Sequence, residues 1–237
     1  PDAAFGVAPQ VTPRSSPSFL TAAWFPELFW DGRASGTFVD PETNQTLIPG
    51  GGALESQALG PILAGNEMAH DARLWSEVTH KLETARPMAL ATNLPADMAN
   101  AVANGATYPA LFQAAFGSPD ITAQRIAYAL ATYQRTLVPD QSPWDRFQRG
   151  VPGAMTQQQI NGMNIFNGPA RCNLCHTPGL FSDRQFRNLG LQPVAADRGR
   201  QNTTNNNADR GKFKVPSLRN VGLRTSLMHN GQFTTVG

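Results

Sequence analysis

Two cysteines and one histidine stand close together in the segment RCNLCH, where Cys172 and Cys175 are followed directly by His176. In a C-x-x-C-H sequence the two thiols are spaced to add across the two vinyl groups of one porphyrin. The adjacent histidine is then held on the proximal face of that ring, where an imidazole nitrogen reaches the iron. The spacing therefore predicts one covalently bound c-type haem, with His176 as the proximal iron ligand.

Two other uses of such a cysteine pair are a zinc site and a redox dithiol. Zinc would need two more cysteine or histidine ligands. The remaining histidines are His70, His80 and His229, and their spacing is not typical of zinc ligands. A redox dithiol does not need the following histidine and usually follows a strand. Covalent haem attachment is the interpretation that uses all three side chains.

The motif does not determine the sixth ligand of the iron. A methionine from a later loop often takes this position, and Met228 lies in such a loop, LMHNG, with His229 next to it. Spacing alone makes both residues candidates. The alternative is that Met228 packs against the edge of the porphyrin while His229 bonds a propionate or the backbone. The family resemblance described below favours this alternative.

The composition limits the class of protein. The chain has 237 residues, 41% of them hydrophobic and 15% charged, which is enough for one large domain or two small ones. Its formal net charge of +2 is too small to indicate a nucleic acid or a membrane surface as a partner. No run of apolar residues approaches a membrane span. The chain starts at Pro1 without a leader, so we expect a signal peptide to have been removed or left out.

The elements that position the motif are predicted to be short helices, because the chain has 19 prolines, 21 glycines and no convincing alternating strand. The predicted fold class is therefore mainly α. Periodicity or capping residues mark helices at residues 74–82 after the N-cap candidate Asp71, and at 109–116, 122–137 and 156–166. Three segments have the composition of loops: an insertion or short hairpin at 36–52, the domain boundary at 139–153, and a polar surface loop at 202–207.

Segments along nearly the whole chain, in the same order, resemble the bacterial dihaem cytochrome c peroxidase family, which includes the MauG-like enzymes. They are RSSPSF (14–19), FWDGRA (29–34), ESQALGPILAGNEM (55–68), the helix at 108–117, ALATYQRTL (129–137), RCNLCHTPGLFSD (171–183), FKVPSLRNVG (213–222) and MHNGQF (228–233). The C-x-x-C-H motif alone indicates only a c-type haem, and the other segments make the resemblance specific.

The resemblance implies two cytochrome c-like domains, each with a haem. The N-terminal, peroxidatic domain would cover residues 1–138 and the C-terminal, electron-transfer domain residues 139–237. The haem at Cys172, Cys175 and His176 would then be the one that takes in electrons.

The resemblance also assigns three residues to the reaction. Trp30 of FWDGRA matches the tryptophan between the two haems, Glu67 the distal acid/base over the peroxide-binding iron, and Gln57 the glutamine near it. A carboxyl group in a partly dry pocket can move the proton that peroxide cleavage needs, and an indole in contact with both rings shortens the electron's path. Without the resemblance, Trp30 would be a core aromatic and Glu67 a surface or helix-capping carboxylate.

Two departures from the family pattern concern the ends of the chain. The N-terminal C-x-x-C-H motif would precede Arg14, but residues 1–13 contain no cysteine or histidine. The sixth ligand of the C-terminal haem, a methionine or tyrosine in the family, would lie past Gly237. We therefore expect either a fragment of a longer protein or a chain that has lost the peroxidatic haem.

A third departure concerns the calcium site between the two domains. In the family, an asparagine of the R-N-x-P motif and carbonyl groups of a T-x-P stretch hold the ion, whereas these positions are Ser15, Arg224 and Ser226 here. Calcium would lose an oxygen ligand of good reach and gain a nearby positive charge. We therefore predict weak calcium binding or none.

The leading hypothesis is a periplasmic oxidoreductase that takes electrons from a small redox protein or another donor and reduces hydrogen peroxide. The resemblance also allows a homodimer. A second hypothesis is MauG-like oxidation of a partner protein, and a third is a monohaem electron carrier on the same scaffold. The number of haems per polypeptide separates the third hypothesis from the others. The first two hypotheses differ in what is oxidised: a small reductant during peroxide turnover in the first, and a protein substrate in the second.

Overall fold

The computed structural model describes residues 11–236 and confirms that the chain is mainly helical. The α-helices of these residues are α1 (Ala53–Leu63), α2 (Trp75–Thr84), α3 (Ala96–Val102), α4 (Tyr108–Phe116), α5 (Ala123–Arg135), α6 (Pro143–Gln148), α7 (Gln157–Asn167) and α8 (Gln201–Thr204). Short strands form two antiparallel pairs, β1 (Phe38–Val39) with β2 (Thr46–Ile48) and β3 (Phe186–Arg187) with β4 (Phe213–Lys214). The first pair confirms the hairpin alternative for residues 36–52.

Side chains cap the N-termini of three predicted helices, α4, α5 and α7. The Thr107 hydroxyl accepts a hydrogen bond from the first turn of α4, and Gly117 ends this helix with a φ of +77°. The Thr122 hydroxyl caps α5 in the same way. At the start of α7, the side chains of Thr156 and Gln159 each accept the other's N–H, at 3.2 and 2.8 Å. These caps satisfy N–H groups that have no partner within the helix.

The predicted start of α2 is wrong. This helix begins at Trp75 rather than after Asp71, and its N-cap is Leu74. A carboxylate oxygen of Glu77 accepts the Leu74 N–H at 2.7 Å. The cap therefore comes from inside the first turn, and the apolar periodicity alone does not reveal it.

Two predicted loops contain helices. Helix α6 lies within residues 139–153, because Ser142 and Asp145 form a reciprocal cap and Pro143 occupies the first helical position. Helix α8 begins at Gln201 and overlaps the polar segment 202–207. In α6 short-range capping outweighs a composition that is typical of loops, whereas α8 has no side-chain cap at its N-terminus and ends before Asn205, which lies in the left-handed region.

Helices α1 and α5 pack against each other at the centre of the N-terminal half. Ala123, Ala127 and Ala131 of α5 are fully buried and allow the two helices to approach closely. Across the same contact, the buried carboxylate of Glu55 accepts a hydrogen bond from Arg135 at 2.7 Å. The larger apolar side chains of the surrounding core are Phe38, Leu59, Val78, Phe112 and Ile126. A second buried cluster lies under the segment that leads to FWDGRA, formed by Ala22, Phe25, Leu28, Ala34 and Leu54.

The C-terminal half has little regular structure, and side chains hold its loops in place. The Ser182 hydroxyl donates to the Val215 carbonyl at 2.6 Å, and the Ser217 hydroxyl donates to the Leu180 carbonyl at 2.7 Å. These bonds fasten the loop after the cysteine motif to the segment after β4. The apolar face of α7, formed by Ile160, Met163 and Phe166, is only half buried.

Candidate functional site

The C-x-x-C-H segment forms a tight turn shortly after α7. Residues Cys172–Leu174 make one 3-10 turn, and the His176 N–H donates to the Cys172 carbonyl at 2.9 Å. The Nδ1 atom of His176 lies 2.9 Å from the carbonyl oxygen of Phe181. Because a carbonyl oxygen only accepts, Nδ1 carries the hydrogen and the Nε2 lone pair is free to bind a metal. Cys172 and Cys175 are half-buried free thiols.

A cavity of about 370 Å³, here called the first cavity, is bordered by Cys175 and His176. Its volume falls in the range of roughly 300–1,000 Å³ that is usual for cofactor sites. The apolar part of its wall comes mainly from the segment after β4 and from the last loop, with Val215, Pro216, Leu218, Val221, Leu227 and Phe233. An apolar wall beside the Cys175 thiol and the His176 imidazole, with Cys172 three residues before Cys175, fits a covalently attached haem.

His229 provides an independent test of this fit. Its ring is buried, stacks on Phe213 with 3.5 Å between the centroids, and has its Nε2 atom buried without a hydrogen-bond partner among the described residues. An unpartnered buried nitrogen costs about 1–3 kcal/mol. His229 borders the first cavity, so a bound group with carboxylates, as a haem has, would satisfy Nε2.

Met228 also borders the first cavity. It is partly exposed, and its φ of +66° places its backbone in the left-handed region. Both candidates for the sixth iron ligand therefore lie at the same cavity, and the preference for packing by Met228 and hydrogen bonding by His229 stays a prediction.

A second cavity of about 770 Å³ also has Trp30 among its lining residues. Trp30 is buried and borders both cavities. Its indole Nε1–H donates to the Ser15 carbonyl at 2.7 Å, and the His229 ring meets the indole edge-to-face at 6.2 Å between centroids. Trp30 therefore forms part of a wall that the two cavities share, together with Pro17, Gln192 and Asp197.

Glu67 borders the second cavity together with Trp30. One Glu67 carboxylate oxygen lies 3.8 Å from a guanidinium nitrogen of Arg33, and that guanidinium lies 3.5 Å over the ring of Phe29. Gln57 is half buried on α1 and does not border this cavity, although Gly60, one turn further along the helix, does. The structure thus brings Trp30 and Glu67 to one cavity and leaves Gln57 outside its wall.

An ion-pair network that sequence reasoning missed also lies at the second cavity. Arg14 donates to both carboxylate oxygens of Asp197, at 2.6 and 2.8 Å, and to Asp31 at 2.6 Å. Burial opposes the charge of Asp197, but hydrogen bonds from Arg14 and the Gly199 N–H hold the pKa of this carboxyl below its usual value. Asp31 belongs to FWDGRA, whereas nothing in the sequence around Asp197 indicates this contact.

The residues at the expected calcium position interact with one another. The hydroxyl groups of Ser15 and Ser226 lie 2.8 Å apart. The Arg224 guanidinium donates to the Ser226 carbonyl at 3.4 Å and to the Ser16 carbonyl. A calcium ion would have to displace this cation from the carbonyl oxygen, so weak binding remains the prediction.

Residues 11–236 contain neither a cluster of metal-ligating side chains nor a helix that could span a membrane. No three histidine, cysteine or acidic side chains are grouped as a metal site would need. No helix in this part of the chain has the length and apolar character needed to cross a bilayer. The expected attachment motif of a first haem would precede Arg14, where residues 1–10 lie outside the described part.

Comparison with known proteins gives a consistent set of matches. Residues 1–152 match the sequence profile of a family described as di-haem cytochrome c peroxidase. MauG of Methylophilus methylotrophus, a methylamine utilization protein, is 31% identical over 220 residues, which cover 92% of this chain and 54% of that protein. Cytochrome c551 peroxidase of Nitrosomonas europaea is 30% identical over 234 residues, with coverage of 96% and 57%.

Solved structures agree with the sequence matches. A MauG-like protein associated with microbial copper homeostasis superposes with a TM-score of 0.67 at 25% identity, covering 95% of this chain and 60% of its own. The diheme peroxidase BthA of Burkholderia thailandensis gives a TM-score of 0.64 at 22% identity, with coverage of 96% and 56%, and supports the fold alone. The chain spans about half the length of the relatives that it matches.

Proposed function

The chain belongs to the di-haem cytochrome c peroxidase family, and on this premise we propose that it works as a peroxidase with hydrogen peroxide as the electron acceptor. The observation that supports this proposal most is that Trp30 borders both cavities. His176 borders one of them and Glu67 the other. Electrons would enter at a haem in the first cavity and leave to peroxide at a haem in the second.

The same premise supports two cytochrome c-like domains. We propose that the N-terminal domain covers residues 1–138 and the C-terminal domain residues 139–237. The haem attachment turn lies in residues 139–237, and so do most residues that line the first cavity. Trp30, Pro17 and Ser18 line this cavity from residues 1–138. On this division, the shared wall would be part of the contact between the two domains.

Reduction of one hydrogen peroxide uses two electrons and two protons and gives two water molecules. When bound, haem supplies the redox chemistry, because its iron can bind a peroxide and pass electrons to it. The proposed role of Glu67 is to take a proton from one peroxide oxygen and return it to the other, so that the second leaves as water. The Arg33 guanidinium lies 3.8 Å from this carboxylate, at the wall of the same cavity. Gln57 does not border the cavity, and its proposed role in orienting the peroxide rests on the family resemblance and on its place one turn before Gly60, which does border it.

Trp30 is the proposed contact through which electrons cross between the cavities. Its indole is fixed on two sides, by the hydrogen bond to Ser15 and by the edge-to-face contact with His229. A rigid aromatic ring between two cofactors shortens the part of the path that an electron must cross without bonded atoms. His176 would hold the first iron through Nε2, while Cys172 and Cys175 form the thioethers.

A periplasmic location with a small redox protein as electron donor completes the proposal, since the matched relatives are bacterial cytochrome c peroxidases and MauG proteins. Oxidation of a partner protein is a second candidate. The observation that favours it is the match to MauG in sequence and to a MauG-like protein in structure.

The test is a haem count per polypeptide combined with peroxide consumption by the purified haem protein, using a small reduced cytochrome or ascorbate as donor. Two haems and rapid consumption are expected. One haem without consumption would favour the electron carrier. Two haems with little consumption, but with peroxide-dependent oxidation of a protein, would favour the MauG-like reaction.

A further inference from the structure

Lys214 is a buried charged residue that neither the haem motif nor the proposed reaction uses. Only 6% of its surface is exposed. Its ammonium group donates to the Glu27 carbonyl at 3.2 Å and lies 4.7 Å from the centroid of the Phe25 ring. Its own N–H donates to the Trp30 carbonyl at 2.8 Å. One residue of β4 therefore holds two carbonyl groups of the segment that ends at Trp30.

The backbone between these two carbonyl groups is strained. Phe29, which lies directly before Trp30, has a φ of +63°, in the left-handed region that residues other than glycine rarely adopt. Such a conformation persists only where the surrounding contacts hold it. Lys214 supplies two of these contacts. Arg200 supplies others, since it binds the Glu27 carboxylate at 2.7 and 3.2 Å.

We propose that Lys214 is the residue that positions Trp30 in the wall that the two cavities share. The importance of the Trp30 position for electron transfer rests on the proposed function, whereas the contacts of Lys214 with Trp30 and Glu27 do not depend on it. The indole end of Trp30 is held by Ser15, and its main chain is held by Lys214. Because the Lys214 side chain also fastens Glu27, it limits how far the strained turn can relax and carry the indole away.

The charged groups around Lys214 determine the pH range in which its side-chain contacts are strongest. Burial lowers the pKa of Lys214 to about 8, although the negative charges of Glu27 and Asp31 oppose the shift. Arg200 is the other nearby charge, and it is paired with Glu27. The His229 ring also contacts Trp30, but burial lowers the pKa of His229 below the usual 6.5. Lys214 and His229 therefore lose their protons in different pH ranges.

Loss of the Lys214 proton should loosen the turn. A charged donor forms a stronger hydrogen bond than a neutral amine does, and the attraction of the ammonium group to the Phe25 ring requires the charge. The environment of the Trp30 indole should therefore change as the pH rises through the pKa of Lys214, whether or not peroxide is turned over.

Fluorine NMR of the haem-loaded protein labelled with fluorotryptophan measures this directly. The chain has four tryptophans, and the Trp30 resonance is assigned by its absence in Trp30→Phe. In the unaltered protein this resonance is expected to shift with a midpoint near pH 8. In Lys214→Met it should be displaced and independent of pH. The matched control is Lys212→Met, which removes a lysine two residues away that pairs only with Asp209 in the described part of the chain, and should keep the transition.

Lys214→Arg keeps the positive charge throughout this pH range, so its Trp30 resonance should not shift with pH. This variant tests the role of Lys214 if Lys214→Met does not fold. A Trp30 resonance that does not move with pH in the unaltered protein would overturn the proposal. A transition that survives in Lys214→Met or Lys214→Arg would overturn it as well. Failure of peroxide turnover would contradict the proposed function alone, because this readout does not depend on turnover.

Discussion

Arg219 holds the carboxylate of Asp145 with two guanidinium nitrogens, Nη2 to Oδ1 at 2.8 Å and Nη1 to Oδ2 at 2.9 Å. The same guanidinium donates to the carbonyl groups of Pro139 and Gly179, at 2.6 and 2.8 Å. Pro139 begins the segment that contains α6, and Gly179 belongs to the loop after His176. Arg219 therefore ties the boundary segment to the loop that follows the haem attachment turn.

Asp145→Asn should destabilise the protein at neutral pH but hardly at low pH. Hydrogen bonds from Arg219 lower the pKa of Asp145 to about 2, although burial opposes them. Because the folded pKa lies below the unfolded value of 3.8, the stabilisation is complete above pH 3.8 and is lost as the pH falls toward 2. The loss at pH 7 should be about 2 kcal/mol of unfolding free energy. Urea unfolding at the two pH values measures it.

The control for this prediction is Asp140→Asn. Asp140 is exposed, and its carboxylate accepts a hydrogen bond from the neighbouring Gln141. Its replacement should change the free energy of unfolding little at either pH. An equal loss in the two variants would contradict the role assigned to the Arg219 pair.

The haem should be found on one tryptic peptide of residues 11–236. Cleavage after Arg171 and after Arg184 releases a peptide that contains both cysteines and His176. Mass spectrometry should show this peptide with the added mass of one haem, because both thioethers form to the same porphyrin. A peptide with free thiols, or one that carries zinc, would contradict the assignment.

His176→Ala should leave the thioethers intact and weaken the ligand field of the iron. The Nε2 atom that is free to bind the metal is lost, whereas Cys172 and Cys175 remain. The optical spectrum should therefore change to that of a high-spin haem. His80→Ala is the matched control, since His80 is exposed on α2 and interacts with Glu83, and its spectrum should equal that of the unaltered protein.

Glu67→Gln should slow peroxide turnover by about 10²–10⁴-fold, which is the usual contribution of a positioned acid/base. The amide keeps the shape of the side chain but cannot accept and return the proton. The absorption of the haem at Cys172 and Cys175 should be unchanged, because Glu67 borders the other cavity. Glu77→Gln, on the exposed surface of α2, should have full activity. A peroxidase rate that Glu67→Gln leaves intact would remove Glu67 from the mechanism.

Calcium should bind weakly or not at all to the unaltered protein. The Arg224 guanidinium donates to the Ser226 carbonyl, and the Ser15 hydroxyl reaches less far than an asparagine carbonyl would. The double variant Ser15→Asn with Arg224→Thr should therefore bind calcium more tightly. Isothermal titration calorimetry compares the two proteins, and tight binding by the unaltered protein would show that the cation does not block the site.

The cysteine motif and the capped helices could be predicted from the sequence because their interactions are short in range. Cys172, Cys175 and His176 are close along the chain, so their spacing alone defines the chemistry. The caps at Thr122 and Thr156 involve residues three positions further on. The predicted start of α2 is wrong, although the capping residue Glu77 is only three positions from the N-cap Leu74. A carboxylate in the first turn can cap the helix or remain in solvent, and the sequence does not distinguish the two.

Other contacts were decided only by the tertiary structure, because residues far apart in the chain make them. Arg14 with Asp197 and Lys214 with Glu27 join the two halves of the protein, and no period, cap or turn in the sequence records such a pairing. The family resemblance named Trp30, but only the fold revealed that this residue borders two cavities at once. The sequence determined which side chains can bind a haem, and the path of the chain determined which side chains surround it.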